Sequence, residues 1–342
     1  MRTAALGFRS PINAALDVIR AGAAIYVVIH HLCQHEAWQG IPGFLFRFGQ
    51  ESVIIFFILS GFVIFLNESH RAEQGILQYY MRRARRIYPP LLVALLISTL
   101  IFLDNGDLRA NFSLRSMLAT VFNVIWIQPG VADPYLRNGP LWSLSYEVFC
   151  YLIFPFVLMG MRKYGARFNH VIGAVCCVSY IIYLDYPNYG SLALPYFMIW
   201  WCGARVAQEY LAGRNGVKPI FDCLLWLVVM ALAALAVQYL ANHPLPRRFP
   251  MIDVRHLLFS AFVASVFSFR ITSSVSYVLV RLAKPAAVVA SISYGIYIFH
   301  YPLLIQWKKA QSPYGFILAI ALLIVLSWQV DRGINRRFKA PG

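Results

Sequence analysis

Eleven apolar windows run the length of this chain, separated by connectors too short to fold alone, and that pattern restricts its fold more than any motif does. They fall near residues 12–34, 49–67, 87–103, 112–128, 141–161, 169–184, 190–208, 220–241, 254–269, 285–305 and 313–331. A run of about 20 apolar residues crosses a bilayer as a helix, because a helix satisfies its own backbone polar groups. Only 13% of the 342 residues are charged, against roughly a quarter in soluble domains. The expected fold is an all-α polytopic membrane protein, with one membrane domain over residues 1–342. Arg2 and Arg9 precede an apolar stretch that carries Asp17 and Arg20 and lacks a small-residue cleavage site, so the first span is expected to be retained.

Basic residues set the orientation. Arg2 and Arg9, the run Arg71 to Arg86, the connectors 162–168, 209–219 and 270–284, and the tail from Arg332 share one side if the chain crosses ten times. That side holds nineteen basic residues against eight in the opposite loops, and the positive-inside bias makes it cytoplasmic, with both termini. One window then cannot span. The weakest is 112–128, which carries Arg115, Asn123 and Gln128 and is expected to be re-entrant or interfacial. Arg247 and Arg248 are an exception on the external side. They are either tolerated late-loop charges or an anchor for an acidic glycan.

The formal charge of +16 is thus topological first and implies no nucleic-acid partner. Cys33, Cys150, Cys176, Cys177, Cys202 and Cys223 form no C-x-x-C pair and no Cys/His metal pattern. They read as packing residues, and no metal is expected.

Several ionisable residues nonetheless lie inside windows, where a cation costs from about 2.5 kcal/mol upward and so faces protein or a watery cavity. Arg20 and His31 are eleven residues apart, about 20° beyond three full helical turns, so they share a face, which Asp17 joins. His30 points about 100° away. Glu147 lies in the stretch Leu141-Trp142-Ser143-Leu144-Ser145-Tyr146-Glu147, and His300 follows Tyr294 and Tyr297. Arg82, Arg83, Arg85 and Arg86 crowd the start of the third window. Arginine's planar fork suits phosphate oxygens, although topogenic charge also explains the cluster. Ser60-Gly61 in the second window permits close helix approach.

Together these strings resemble the acyltransferase-3 family of membrane acyltransferases. The resemblance runs through Asp17-Val18-Ile19-Arg20, the Arg20/His31 spacing, Phe-Phe-x-Leu-Ser-Gly-Phe at 56–62, Arg-x-x-Arg-Ile-x-Pro at 83–89, Leu-Trp-Ser-Leu-x-x-Glu at 141–147 and Tyr-x-x-Tyr-x-x-His-x-Pro at 294–302. It implies about ten spans in a bacterial inner membrane and a cytoplasmic acyl-coenzyme A donor, most simply acetyl-coenzyme A. The acceptor it implies is a carbohydrate or lipid-linked glycan beyond the membrane. Some members carry a fused extracytoplasmic hydrolase-like domain. This chain ends at Gly342 soon after its basic tail, so its membrane domain is expected to act alone or with a separate protein.

On that reading His31 is the general base, Arg20 guides the donor arm with Asp17 as counter-ion, and Glu147 orients His31 or binds acceptor hydroxyls. Arg83 and Arg86, flanked by Arg82 and Ser60, hold the donor. Trp142, Ser143, His300, Arg247 and Arg248 meet the acceptor. An acyl-histidine relay fits the same residues. Two rivals remain open from sequence: a transporter or flippase for an acidic or lipid-linked glycan, and N-acyl transfer to an amino sugar.

Overall fold

The computed structural model describes residues 11–36, 40–69, 71, 75–123, 134–240, 251–270 and 276–334. Arg247 and Arg248 lie outside the described residues, as do Arg2, Arg9 and the part of window 112–128 beyond residue 123. Among the described residues every regular element is helical. The helices are α1 (Pro11–His35), α2 (Ile41–Leu45), α3 (Gly49–Glu68), α4 (Ile76–Asp104), α5 (Leu108–Asn111), α6 (Leu114–Val121) and α7 (Leu141–Tyr164). They continue as α8 (Phe168–Asp185), α9 (Tyr189–Leu211), α10 (Phe221–Tyr239), α11 (Val254–Arg270), α12 (Ser276–Ser291), α13 (Ser293–His300) and α14 (Pro313–Trp328).

Six stretches are long and apolar enough to cross a membrane, or seven if the bent pair α12 and α13 counts as one span. The ten expected crossings exceed that number for reasons visible in the residues. Leu141–Asp185 registers as one stretch of 45 residues, yet it contains both α7 and α8, parted at Gly165 with φ of 63°. At about 1.5 Å per residue, 45 residues exceed twice the roughly 30 Å hydrocarbon thickness. Helix α9 carries Arg205 and Glu209 among its aromatics, and α11 has only 17 residues. In window 112–128 the described part forms only the eight-residue α6, capped by Ser113, whose hydroxyl accepts from the Ser116 amide at 3.2 Å. Eight residues span about 12 Å and cannot cross.

The outer surface is apolar, the reverse of a soluble protein. Leu92, Leu96, Leu100 and Leu103 on one face of α4 are all more than half exposed. Such a surface suits hydrocarbon rather than water, and the chain is an integral membrane protein.

At the centre stands α9, with Tyr196, Phe197, Trp200 and Trp201 fully buried. Its crossing with α3 depends on two glycines. A Cβ on Gly61 would strike the Trp200 carbonyl, and one on Gly203 would strike the Ile58 carbonyl, so the backbones touch as small residues allow. That contact fixes the height of Ser60 against Trp200. The tenth window is broken: the segments on either side of Ile292 bend by 53°. Ser291 and Ser293 hydroxyls donate to the Val288 and Ala290 carbonyls there, at 2.7 and 2.8 Å. Irregular backbone at such depth is tolerated where it lines a cavity, and Ser293 and Tyr294 do so.

Candidate active site

A cavity of about 350 Å³ lies between α1, α3, α4, α7 and α13. Into it come Arg20, Ser60, Arg83, Arg86, Ser143 and Glu147, from four windows well separated in sequence. Phe56, Phe57, Leu59 and Val63 of α3 form an apolar wall.

Glu147 is held firmly on one oxygen. Its Oε1 accepts from the Ser60 hydroxyl at 2.8 Å and from the Tyr151 hydroxyl one turn along α7. The Ser60 oxygen in turn accepts from Trp200 Nε1 at 3.2 Å. Oε2 has no hydrogen bond among the described residues. A half-buried carboxylate needs donors or cations to offset desolvation, and this one has both, since the cavity wall also carries three guanidinium groups. Arg83 Nη2 donates to Glu68 Oε1 at 2.9 Å, while Arg82 engages both oxygens of the same carboxylate, which is 4% exposed. Arg20 and Arg86 make no ion pair with any described residue. The chamber therefore carries more cation than anion and is built to receive negative charge.

His31 is placed apart from this chamber. Arg20 lies in its wall, and His31 lies eleven residues further along α1, about 16 Å away. The His31 ring stacks on His300 with centroids 5.3 Å apart and meets Tyr301 edge-on at 5.2 Å. His300 is fully buried at the junction of α13 and a π-helical turn over Tyr301–Gln306, a distortion often found at functional sites. Its Nδ1 lies 2.8 Å from the Tyr297 carbonyl and 3.1 Å from that of Ile296. Carbonyl oxygens only accept, so Nδ1 carries a proton. The His300 Nε2 is buried with no hydrogen-bond partner among the described residues.

Tyr297 stands between the two compartments. It lines the cavity, its ring lies 6.1 Å from His300 and 5.8 Å from Phe56, and its hydroxyl pairs with Ser143 Oγ at 2.7 Å and the Pro140 carbonyl at 3.1 Å.

Several expected residues sit elsewhere. Glu147 makes no hydrogen bond to His31; its partners are Ser60 and Tyr151, because it enters the arginine chamber and His31 does not. Asp17 is outside the cavity lining and beyond direct ion-pair distance of Arg20, but near enough for the two charges to attract. Trp142 is 5% exposed and packs on Tyr146 and Tyr196 at 5.7 and 5.4 Å, in the aromatic core rather than at an open surface. Arg82 faces a second cavity. His300, expected to meet the acceptor, has no exposed surface. Tyr151 and Glu68 are missed from sequence, and Tyr297, part of the 294–302 motif, is given no role there. Tyr151 follows Glu147 by one helical turn, a spacing that marks it as a partner. Glu68 follows the second window with no local sign of its two arginines. Among the described residues no group of three His, Cys, Asp or Glu side chains is arranged to hold a metal.

Comparison with known proteins gives one family match, an acyltransferase domain, over residues 13–328. The chain is 26% identical over 325 residues to the peptidoglycan O-acetyltransferase OatA of Listeria monocytogenes, covering 85% of this chain and 49% of that protein. It is 26% identical over 243 residues to nodulation protein 10 of Rhizobium leguminosarum, covering 64% and 65%. It is 32% identical over 149 residues to an O-acetyl transferase of Shigella phage Sf6, covering 40% and 43%. The matched stretches thus span between 43% and 65% of these relatives' lengths. No solved structure matches. With the family match running through every helix from α1 to α14, the chain belongs to the acyltransferase-3 family.

Proposed function

We propose that this protein transfers an acetyl group from cytoplasmic acetyl-coenzyme A to a hydroxyl of an extracytoplasmic or lipid-linked carbohydrate. The observation that carries the reading is the chamber itself, in which Arg20, Arg83 and Arg86 surround about 350 Å³ of space beside one anchored carboxylate, Glu147. The printed names of the relatives, O-acetyltransferases among them, support acetyl transfer to oxygen. The proposed arrangement has ten crossings in a bacterial inner membrane with both termini cytoplasmic, which the basic-residue bias supports.

Coenzyme A, when bound, supplies the acyl group as a thioester. Arg83 and Arg86, at the arginine-rich mouth, hold its phosphates, and the wall of α3 accommodates its apolar arm. Arg20, inside the chamber and about 16 Å along α1 from His31, guides the donor arm toward the histidines rather than touching the reacting carbonyl. Ser60 and Tyr151 hold Glu147 in place through Oε1, so that Oε2 is left facing the chamber. His31 takes the proton of the sugar hydroxyl as its oxygen attacks the acyl carbon. The carbon–sulfur bond breaks, and the proton passes to the departing sulfur.

The test incubates membranes holding wild type, His31→Ala or Arg83→Ala/Arg86→Ala, at matched expression, with radiolabelled acetyl-coenzyme A and a glycan fraction. Label in an alkali-labile ester with wild type alone supports the proposal. Label in an alkali-stable amide would make it an N-acyltransferase. Glycan movement without consumption of the donor would favour a transporter.

A further inference from the structure

A second cavity, of about 250 Å³, lies beside the first at the arginine-rich ends of α3, α4 and α7. Arg71, Arg82 and Arg162 face it together with Glu68. That carboxylate is already committed, since it binds Arg82 and Arg83 at once. Arg71 and Arg162, both exposed, form no ion pair with a described residue. The cavity therefore has a surplus of positive charge on one side.

Its other side is apolar, formed by Phe154, Leu158 and Met159. The rim is apolar as well: Ile76 and Met159 line the cavity and are 43% and 57% exposed, and nearby Leu77 and Phe156 are 73% and 60% exposed. On an integral membrane protein such side chains face hydrocarbon. The cavity thus opens where basic helix ends meet the edge of the bilayer's apolar layer. A soluble anion would satisfy the arginines and leave the apolar wall bare. An acyl chain alone would leave the arginines unpaired.

We infer that this cavity binds an anionic membrane phospholipid, with Arg71, Arg82 and Arg162 around the headgroup phosphate and an acyl chain lying on Phe154, Leu158 and Met159. The inference does not depend on the acyl-transfer reading. It does join the two cavities, because a phosphate drawing on Arg82 competes with Glu68, the carboxylate that also fixes Arg83 of the larger chamber.

The experiment places the full-length protein in phosphatidylcholine nanodiscs and titrates spin-labelled phosphatidylglycerol, reading the immobilised fraction. Wild type should retain phosphatidylglycerol in preference to labelled phosphatidylcholine. Arg71→Gln/Arg162→Gln should weaken that retention by roughly tenfold or more, from about 1 kcal/mol per basic residue at the surface, and Arg71→Lys/Arg162→Lys should restore most of it. Both substituted residues are exposed, and the thermal midpoint of each variant verifies folding. Equal retention of the two lipids by wild type, or unchanged retention by the glutamine variant, overturns the inference. Displacement of the lipid by inorganic phosphate or coenzyme A would assign the cavity to soluble phosphates and overturn it too.

Discussion

Among the charge clusters of the described residues, two differ instructively in balance and in space. Around the chamber, Arg20, Arg83 and Arg86 outnumber Glu147, and the four side chains line a cavity. Between α8, α9 and α10 the charges are matched, and none of them lines either cavity described above. Arg205, 5% exposed, reaches Glu209 Oε1 at 3.1 Å, Asp222 Oδ2 at 3.6 Å and the Pro219 carbonyl at 3.2 Å. Arg214 takes the other Glu209 oxygen, and Asn169 joins Asp222 to Trp201 Nε1. A buried arginine is thus no sign of function by itself. Surplus charge facing a void marks a ligand site, and reciprocated charge marks a structural joint.

The largest expected effect on the functional side is that of His31→Ala. It should lower acetyl transfer by about 10²–10⁴-fold, the usual worth of a general base, with an unchanged unfolding midpoint in detergent. Labelled-donor assays at matched folded protein check this. A loss of less than about tenfold would remove His31 from the proton path and leave the chamber alone as the chemical site.

Arg205→Ala should act in the opposite manner. It removes the cation paired with Asp222 and one of the two paired with Glu209, and breaking a buried pair costs about 3–5 kcal/mol. Denaturant unfolding should show that loss, while the activity per folded molecule holds. A variant that stays stable but inactive would move this joint into the functional class and erase the comparison.

Ser60→Ala sits between the two. It removes one donor from Glu147 and the acceptor of Trp200 Nε1. A hydrogen bond to a charged group contributes about 1.5–3 kcal/mol, so transfer should fall by about tenfold or more. Alanine fits at the α3–α9 crossing but leaves the buried Trp200 Nε1 without its acceptor, so stability should fall by about 1–3 kcal/mol, as denaturant unfolding would show.

How much of this was legible in sequence depends on how far apart the partners lie. The shared stripe of Arg20 and His31 follows from helical spacing and suggests one chamber lining, but only Arg20 lines the cavity, because about 16 Å of helix separates the two. In 112–128 the described part ends its helix at Val121, just before the polar Asn123. Arg205 and Arg20 look alike in sequence, however, each an arginine in an apolar window. What separates them is Glu209 one turn away and Asp222 across a loop, against open space, and no spacing rule reports space. The anchoring of Glu147 by Ser60, 87 positions earlier, belongs to the α3–α9–α7 packing. The break at Ile292 was hidden for a similar reason: Pro285 and Pro302 bracket it, and the serines beside it look like ordinary residues of a span.

Tyr297→Phe gives the smallest effect and the finest test, because Tyr297 borders both the chamber and the histidine pair. The substitution keeps the ring that packs on Phe56 and lies near His300 and removes only the hydroxyl bonded to Ser143 and the Pro140 carbonyl. If Tyr297 is a partition, the ring does the work and the lost neutral hydrogen bonds contribute about 0.5–1.5 kcal/mol each. Transfer should then fall by no more than roughly tenfold, because Ser143 can still donate to the Pro140 carbonyl at 3.1 Å. A loss as deep as that of His31→Ala would mean that the hydroxyl itself carries a proton between the compartments. The two would then be one continuous site, with Tyr297 among its reacting groups.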